Sequence, residues 1–124
     1  MPARVVVVHD EPEFVGEVAT ALRLAGHEVA TFPDPLAAWD ALEATRETEV
    51  LVTRVEFQPG KSNGVALARM ARANRPEIRV LFTALPEYAS HTEGLGTLMP
   101  MPVRVPDVVE AVTRLLNNKG ENSA

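Results

Sequence analysis

The fold is decided by residues 4–12, which read Arg4-Val5-Val6-Val7-Val8-His9-Asp10-Glu11-Pro12. Four consecutive valines are typical of a strand that is buried on both faces, because a strand with one face in water alternates apolar and polar residues. The polar residues after the fourth valine indicate that the strand ends there and the chain enters a loop. This stretch predicts an inner strand of a parallel sheet that carries helices on both sides.

The segment after this strand has the pattern of an amphipathic helix. Phe14, Val18 and Leu22 recur every four residues, and Gly26 follows in the position that commonly ends a helix. We therefore expect a helix over 12–25, followed by a second strand at 27–32.

The next helix is predicted from its start. Asp34 and Pro35 suit the N-cap and the first helical position, and an apolar stripe follows that comprises Leu36, Trp39 and Leu42. This helix is expected to reach about Glu47. The remaining predicted strands lie at 49–54, 78–83 and 98–101, and the remaining helices lie at 65–74, at about 87–92 and from Pro106 to before Gly120.

Alternating strands and helices predict a doubly wound α/β domain with a five-stranded parallel sheet and about five helices, of which the fourth is short or irregular. Ligands of such sheets bind outside the carboxyl ends of the strands. That rule selects the residues that follow strands one, three, four and five as the candidate site. They are His9, Asp10 and Glu11, then Thr53 to Glu56, then Thr83 and Ala84, and finally Met101 and Pro102.

Composition limits the classes of function. A chain of 124 residues with 46% apolar residues predicts a single domain, here 1–118, with a frayed tail at 119–124. The net charge of −5 is spread along the chain, which argues against a nucleic-acid partner. There is no cysteine, and no apolar run approaches the roughly 20 residues that span a bilayer. We expect a cytoplasmic protein that does not bind membranes.

The strand ends resemble those of the receiver domains of bacterial two-component response regulators, over about residues 1–117. Receivers are CheY-like domains of flavodoxin-like topology, with strand order 2-1-3-4-5. They carry an acidic pair after the first strand, a phosphoacceptor aspartate after the third, Ser or Thr with a small residue after the fourth, and Lys-Pro after the fifth. His9-Asp10-Glu11 corresponds to the acidic motif, and Thr83-Ala84 fits well.

The resemblance is incomplete at several family positions. Met101-Pro102 keeps the proline but lacks the lysine, Leu98 stands at the aromatic switch position, and His9 stands at an acidic one. The acceptor position falls on Arg54 when the third strand is aligned from Glu49. These departures indicate a degenerate receiver, a pseudo-receiver.

An alternative alignment, counted back from Gly64, places the acceptor position at Glu56 instead of Arg54. We favour Arg54, because a loop accommodates two extra residues easily, whereas a slip in a buried strand would expose its apolar side chains. Neither residue is a phosphorylatable aspartate.

Two side chains of the pocket invite specific hypotheses. Arg54 is expected to pair with Asp10 and with Glu11, taking the place of a metal ion, against the alternative that it points into solvent. Thr83 is either a residual anion-binding hydroxyl or a hydroxyl that bonds nearby backbone, and we favour the second. No metal or other cofactor is expected, with Asp10 and Glu11 as weak residual ligands for Mg²⁺.

The resemblance implies a signalling function rather than an enzymatic one. We expect a stand-alone module that binds a histidine kinase, a phosphotransfer protein or another regulator without being phosphorylated, and that is able to form a homodimer through residues 87–117. Two alternatives to this expectation stay open. In the first, the chain is a phosphoacceptor that uses Asp10 or another carboxylate. In the second, it is a small-ligand-binding domain of flavodoxin-like topology.

Overall fold

The computed structural model describes residues 4–44, 47–57 and 63–117, with only the backbone of Arg4. Its strands are β1 (Arg4–Val8), β2 (Glu28–Phe32), β3 (Thr48–Arg54), β4 (Arg79–Ala84) and β5 (Thr97–Pro100). Its helices are α1 (Pro12–Leu24), α2 (Pro35–Ala44), α3 (Gly64–Asn74), α4 (Ala89–Thr92) and α5 (Val105–Asn117). A 3₁₀ turn at Pro86–Tyr88 leads directly into α4.

The strands form one parallel sheet in the order β2-β1-β3-β4-β5. Val6 of β1 lies opposite Leu51 of β3, and Leu51 lies opposite Val80 of β4, so the apolar residues of the inner strands stack in register. The predicted fold class and strand order are confirmed. All strands end at the same edge of the sheet, which brings the candidate site residues together.

Helices cover both faces of the sheet and create two apolar layers. α1 and α5 pack on one face against a cluster that includes Val5, Val7 and Val52. α2 and α3 pack on the other face against a cluster that includes Val6 and Leu51. The run of valines in β1 therefore contributes to both layers, as its composition predicts. Nowhere in the three described segments is there a helix long and apolar enough to cross a membrane.

Helix starts are determined by local chemistry. The Oδ1 atom of Asp34 accepts a hydrogen bond from the backbone N–H of Ala37 at 2.9 Å, which satisfies one free donor of the first turn of α2. Asn63 caps α3 in the same way, through the N–H of Ala66 at 2.8 Å. Gly26 follows α1 with a φ of 95°, a backbone conformation that suits glycine because it has no Cβ.

Several predicted boundaries are wrong by one to three residues. α2 ends at Ala44 rather than near Glu47, and β2 and β4 each begin one residue later than predicted. β5 begins and ends one residue earlier than predicted, so Met101 lies just outside it. The fourth helix is shorter than expected, because a 3₁₀ turn takes the first part of 87–92. The repeat of apolar residues predicts whether a segment is a strand or a helix more accurately than it predicts the first and last residues of that element.

The predicted apolar stripe of α2 is partly wrong. Leu42 is buried and Trp39 is half-buried, but Leu36 is 72% exposed. Pro35 and Ala38 take the buried positions of the first turn instead. Since Leu36 precedes Leu42 by six residues, a helix that turns about 100° per residue places them roughly 120° apart, so Leu36 falls outside the buried face. The predicted tail at 119–124 lies outside the described residues.

Candidate functional site

The candidate site lies at the carboxyl-terminal edge of the sheet, where β1, β3 and β4 end side by side. β3 reaches Arg54 before it turns, and the turn is held by a hydrogen bond from the N–H of Gly64 to the carbonyl oxygen of Val55 at 2.9 Å. A Cβ atom at Gly64 would overlap the carbonyl oxygen of Arg54. Only glycine fits at this close approach of backbone to backbone.

Arg54 pairs with Asp10 across the ends of β3 and β1. Its Nη1 atom donates to Oδ1 of Asp10 at 2.8 Å, and the two side chains are 20% and 26% exposed. Glu11 is farther away, with its Oε1 atom 4.0 Å from the same nitrogen, and it is largely exposed. The hypothesised pair with Asp10 is present, and the alternative that Arg54 points into solvent is wrong. Its cation stands between carboxylates, where a metal ion would otherwise balance their charge.

His9 closes one side of this ion pair as a neutral ring. It is buried, its Nδ1 atom accepts the backbone N–H of Glu11 at 3.1 Å, and its ring lies 4.6 Å from that of Phe14. Burial lowers the pKa of His9, and the charge of Arg54 lowers it further, although Glu11 and Asp10 oppose this. An Nδ1 atom that accepts a hydrogen bond is unprotonated, so the geometry and the lowered pKa agree.

The other side of Arg54 lacks oxygen partners. Its Nη2 atom contacts the Sδ atom of Met101 at 3.9 Å, a weak interaction, and its Nε atom is buried with no hydrogen-bond partner among the described residues. Thr83, which lies directly opposite Arg54 in the sheet, is also buried, and its Oγ1 atom is unpartnered within the same described segments. The expectation that the Thr83 hydroxyl bonds nearby backbone is therefore wrong.

Glu56 lies two residues beyond β3 and faces a different part of the surface. Its carboxylate is exposed, and burial together with the nearby Glu56 carboxylate raises the pKa of Tyr88. Glu56 and Tyr88 line a groove of about 430 Å³ between α3 and α4, together with His91 and Arg69. The structure thus brings Arg54, not Glu56, into contact with Asp10.

The remaining predicted residues surround the pocket without forming polar side-chain contacts there. Ala84 is buried, and its carbonyl oxygen accepts the N–H of Met101 at 2.8 Å, which holds the end of β5 against β4. Pro102 is exposed and follows Met101 through a cis peptide bond. Leu98 is half-buried and packs against the α2–α3 layer. None of the three adds a charge to the site.

Within residues 4–44, 47–57 and 63–117, no group of three or more His, Cys, Asp or Glu side chains is arranged to hold a metal ion. Asp10 and Glu11 are two carboxylates only, and the guanidinium that bonds Asp10 competes for the same oxygen. A divalent cation would have to displace that guanidinium, whose positive charge also repels it. The donor set therefore does not fit Mg²⁺ well.

Sequence reasoning did not find three contributors to the site. Phe14 was predicted only as part of the apolar face of α1, yet its ring also packs on His9. Tyr88 lies beside Glu56 in the groove between α3 and α4, and Gly64 closely approaches the backbone of Arg54. Gly64 gave the one available sequence signal among these three residues. Tyr88 lies 32 residues after Glu56, so no local sequence pattern links the two.

Comparison with known proteins gives a clear result for the fold. No known protein family matches the sequence, and no curated protein matches it either. Solved structures do match. A receiver domain protein from Methanospirillum hungatei JF-1 has a TM-score of 0.86 at 16% identity, over 98% of this chain and 99% of that one.

Two further structures show the same similarity. The receiver domain of the hybrid histidine kinase CckA is 26% identical, with a TM-score of 0.76 over 92% of this chain and 99% of that one. The response regulator TrrA from Thermotoga maritima, solved in complex with Mg²⁺ and BeF, is 17% identical, with a TM-score of 0.79 over 91% and 98%. This chain therefore has the flavodoxin-like fold of response regulator receiver domains.

Proposed function

We propose that this protein is a receiver-like signalling module that binds its partners without being phosphorylated, in a pathway of the two-component type. The observation that carries the proposal is the 2.8 Å ion pair between Arg54 and Asp10. A guanidinium cannot accept a phosphoryl group, and it occupies the region where a receiver concentrates carboxylates around a metal ion.

The first support is electrostatic. A receiver changes between two states because phosphorylation adds charge that one state binds better. Here the cation is built into β3 and already neutralises Asp10, so no added metal ion is needed to balance that carboxylate. We infer that the module is held in one state, and that the supply of partner governs its signal.

The second support concerns the surface at 87–117. α4 has only four residues, so the face formed with β5 and α5 differs from one covered by a full helix. Leu85 is 44% exposed beside this face, and Tyr88, Leu95 and Leu98 are only partly buried. We propose that this face contacts the partner, which is a histidine kinase, a phosphotransfer protein or another regulator, or a second copy of the chain.

The test is incubation with acetyl phosphate and Mg²⁺, followed by intact-mass measurement. The response regulator TrrA from Thermotoga maritima, which was solved in complex with Mg²⁺ and BeF, serves as the positive control. We expect the control to gain one phosphoryl group and this protein to gain none. A stable adduct on this protein would overturn the proposal and favour the alternative in which Asp10, or another carboxylate such as Glu56, is the acceptor.

The variant Arg54→Asp sharpens this test. It restores a carboxylate at the end of β3 beside Asp10 and Glu11, and we expect it to bind Mg²⁺ more tightly than the parent chain does, as measured by calorimetry. Equal Mg²⁺ affinity of parent and variant would contradict the argument that Arg54 replaces the metal. Native mass spectrometry of the parent protein tests the other alternative, because a co-purifying small ligand would indicate a binding domain of another class.

A further inference from the structure

We propose that the free edge of the Arg54 guanidinium and the Thr83 hydroxyl together form a binding site for a single carboxylate group. The inference deepens the proposed function and rests on it only for the view that the chain acts by binding. It concerns the chemistry that a ligand or partner must present at this pocket.

The first step is the use that Arg54 makes of its donors. A guanidinium has five N–H groups, and its Nε and Nη2 edge matches the two oxygens of a carboxylate. Asp10 does not use that edge, since it binds Nη1. Nη2 contacts only the thioether of Met101, and the buried Nε has no partner in the described part of the chain. The edge suited to a bidentate acceptor is therefore free of oxygen.

The second step is the hydroxyl beside it. Thr83 is 1% exposed, and the described residues offer its Oγ1 atom no hydrogen bond. Arg54 and Thr83 are directly paired on neighbouring parallel strands, so their side chains leave the sheet on the same face. Buried polar atoms are nearly always satisfied, and two orphans on adjacent strands indicate a shared acceptor that completes the site.

The third step is the charge of the ligand. Asp10 already neutralises part of the guanidinium, and Glu11 lies 4.0 Å from Nη1. Any anion bound here shares one guanidinium with two carboxylates. A phosphate dianion adds two negative charges to this group, whereas a carboxylate adds only one. Two oxygens in one plane also suit the Nε and Nη2 edge. A monoanionic carboxylate fits better than phosphate.

The fourth step is access. The half-buried side chain of Met101 covers the free edge. A methionine side chain has three rotatable bonds and gives up only a weak sulfur contact when it moves. A carboxylate reaches Nε once Met101 rotates away, so no movement of the sheet is required.

The experiment is a titration of the uniformly ¹⁵N-labelled protein with sodium acetate at constant ionic strength, followed through the arginine Nε–H resonances. We expect a saturable shift of the Arg54 resonance. Arg114 is the internal control, because it is exposed and already paired with Glu110. No saturable shift at Arg54, or an equal shift at Arg114, would overturn the proposal, as would tighter binding of phosphate than of acetate.

Two variants separate a built site from general attraction. Thr83→Val keeps the shape of the side chain and removes the hydroxyl, and Arg54→Lys keeps the charge and removes the Nε and Nη2 edge. Acetate is expected to bind at least tenfold more weakly to each. Unchanged affinity in Arg54→Lys would show that charge alone attracts the anion, and the carboxylate site would be wrong.

The two sources of a carboxylate are distinguished by a peptide. Acetyl-Gly-Glu-Gly-amide that binds more tightly than acetate, with no binding of its Gln counterpart, supports an acidic side chain of a protein partner. Acetate that binds as tightly as the peptide supports a small organic acid. Failure of both to bind removes this inference but leaves the result with acetyl phosphate unaffected, so the two proposals are tested separately.

Discussion

Arg54 lies at the carboxyl-terminal ends of the strands and Arg75 lies at their amino-terminal ends, and the two guanidinium groups donate to different kinds of acceptor. Arg75, at the end of α3, donates to the carbonyl oxygens of Leu42 at 2.8 Å and Thr48 at 3.4 Å, and so joins three elements at the amino-terminal edge. Arg54, at the carboxyl-terminal edge, donates to one carboxylate and leaves Nε without a partner in the described part of the chain. Arg75 stabilises the fold by donating to backbone carbonyl oxygens, whereas Arg54, in the candidate site, keeps N–H donors that a bound ligand can use.

The strongest effect is expected from Arg75→Ala. Two backbone carbonyls lose a charged donor, and we expect the free energy of unfolding to fall by about 2 kcal/mol. Urea denaturation measures it. Arg69→Ala is the matched control, because Arg69 lies on α3 and its side chain is exposed. This variant should change the free energy of unfolding by less than about 0.5 kcal/mol. Equal losses of stability in the two variants would show that the hydrogen bonds of Arg75 to backbone carbonyls do not stabilise the fold.

The ion pair at the other edge should be worth less. Arg54→Ala leaves Asp10 partly buried beside Glu11, and we expect a loss of about 1 kcal/mol, because the pair is partly open to water. A double-mutant cycle with Asp10→Asn, measured by urea denaturation, isolates the coupling energy between the two side chains. Zero coupling at low salt would mean that the 2.8 Å contact contributes nothing to the folded state.

His9 makes stability at this edge depend on pH. Its pKa is lowered in the folded protein by burial and by Arg54, so between that lowered value and its ordinary value of 6.5 the unfolded chain binds more protons. Stability is therefore lost as pH falls below 6.5, by at most about 1.4 kcal/mol per pH unit from this group. His9→Gln should remove that component from urea titrations at pH 7 and pH 5. An unchanged pH dependence in the variant would contradict this reasoning.

The same causes predict a coupling between His9 and Arg54. Removal of the guanidinium in Arg54→Ala should raise the pKa of His9, since a nearby positive charge disfavours the imidazolium. The chemical shifts of the His9 ring protons, followed through a pH titration by NMR, measure this. His27 and His91 serve as internal references, as both lie away from Arg54.

The last predicted effect is a gain in stability. Thr83→Val replaces a buried hydroxyl that has no partner among the described residues with a methyl group of similar shape, and we expect the folded state to become about 1 kcal/mol more stable. Thermal unfolding detects this as a higher Tm. A loss of stability would show that the hydroxyl is satisfied within the free protein, and that the two edges differ less than their contacts indicate.

The sequence by itself determined the fold class and the edge at which the site lies, whereas the strand order was implied by the resemblance to receivers. Consecutive valines are typical of a strand buried on both faces of a sheet, and parallel strands end at one edge, which placed His9, Asp10, Arg54 and Thr83 at that edge. Charge made the pairing of Arg54 with Asp10 the favoured hypothesis, but the alternative that Arg54 points into solvent was excluded only by the structure.

Tertiary structure decided what each neighbour contacts. The loop after β3 left Arg54 and Glu56 as rival candidates for the acceptor position, and only the structure shows that Arg54 bonds Asp10 whereas Glu56 lines the groove between α3 and α4. The unpartnered atoms of Thr83 and Arg54 were equally invisible, since hydrogen bonds depend on distances of tenths of an ångström between strands. Periodicity specifies which face a residue takes, but packing in three dimensions specifies its partner.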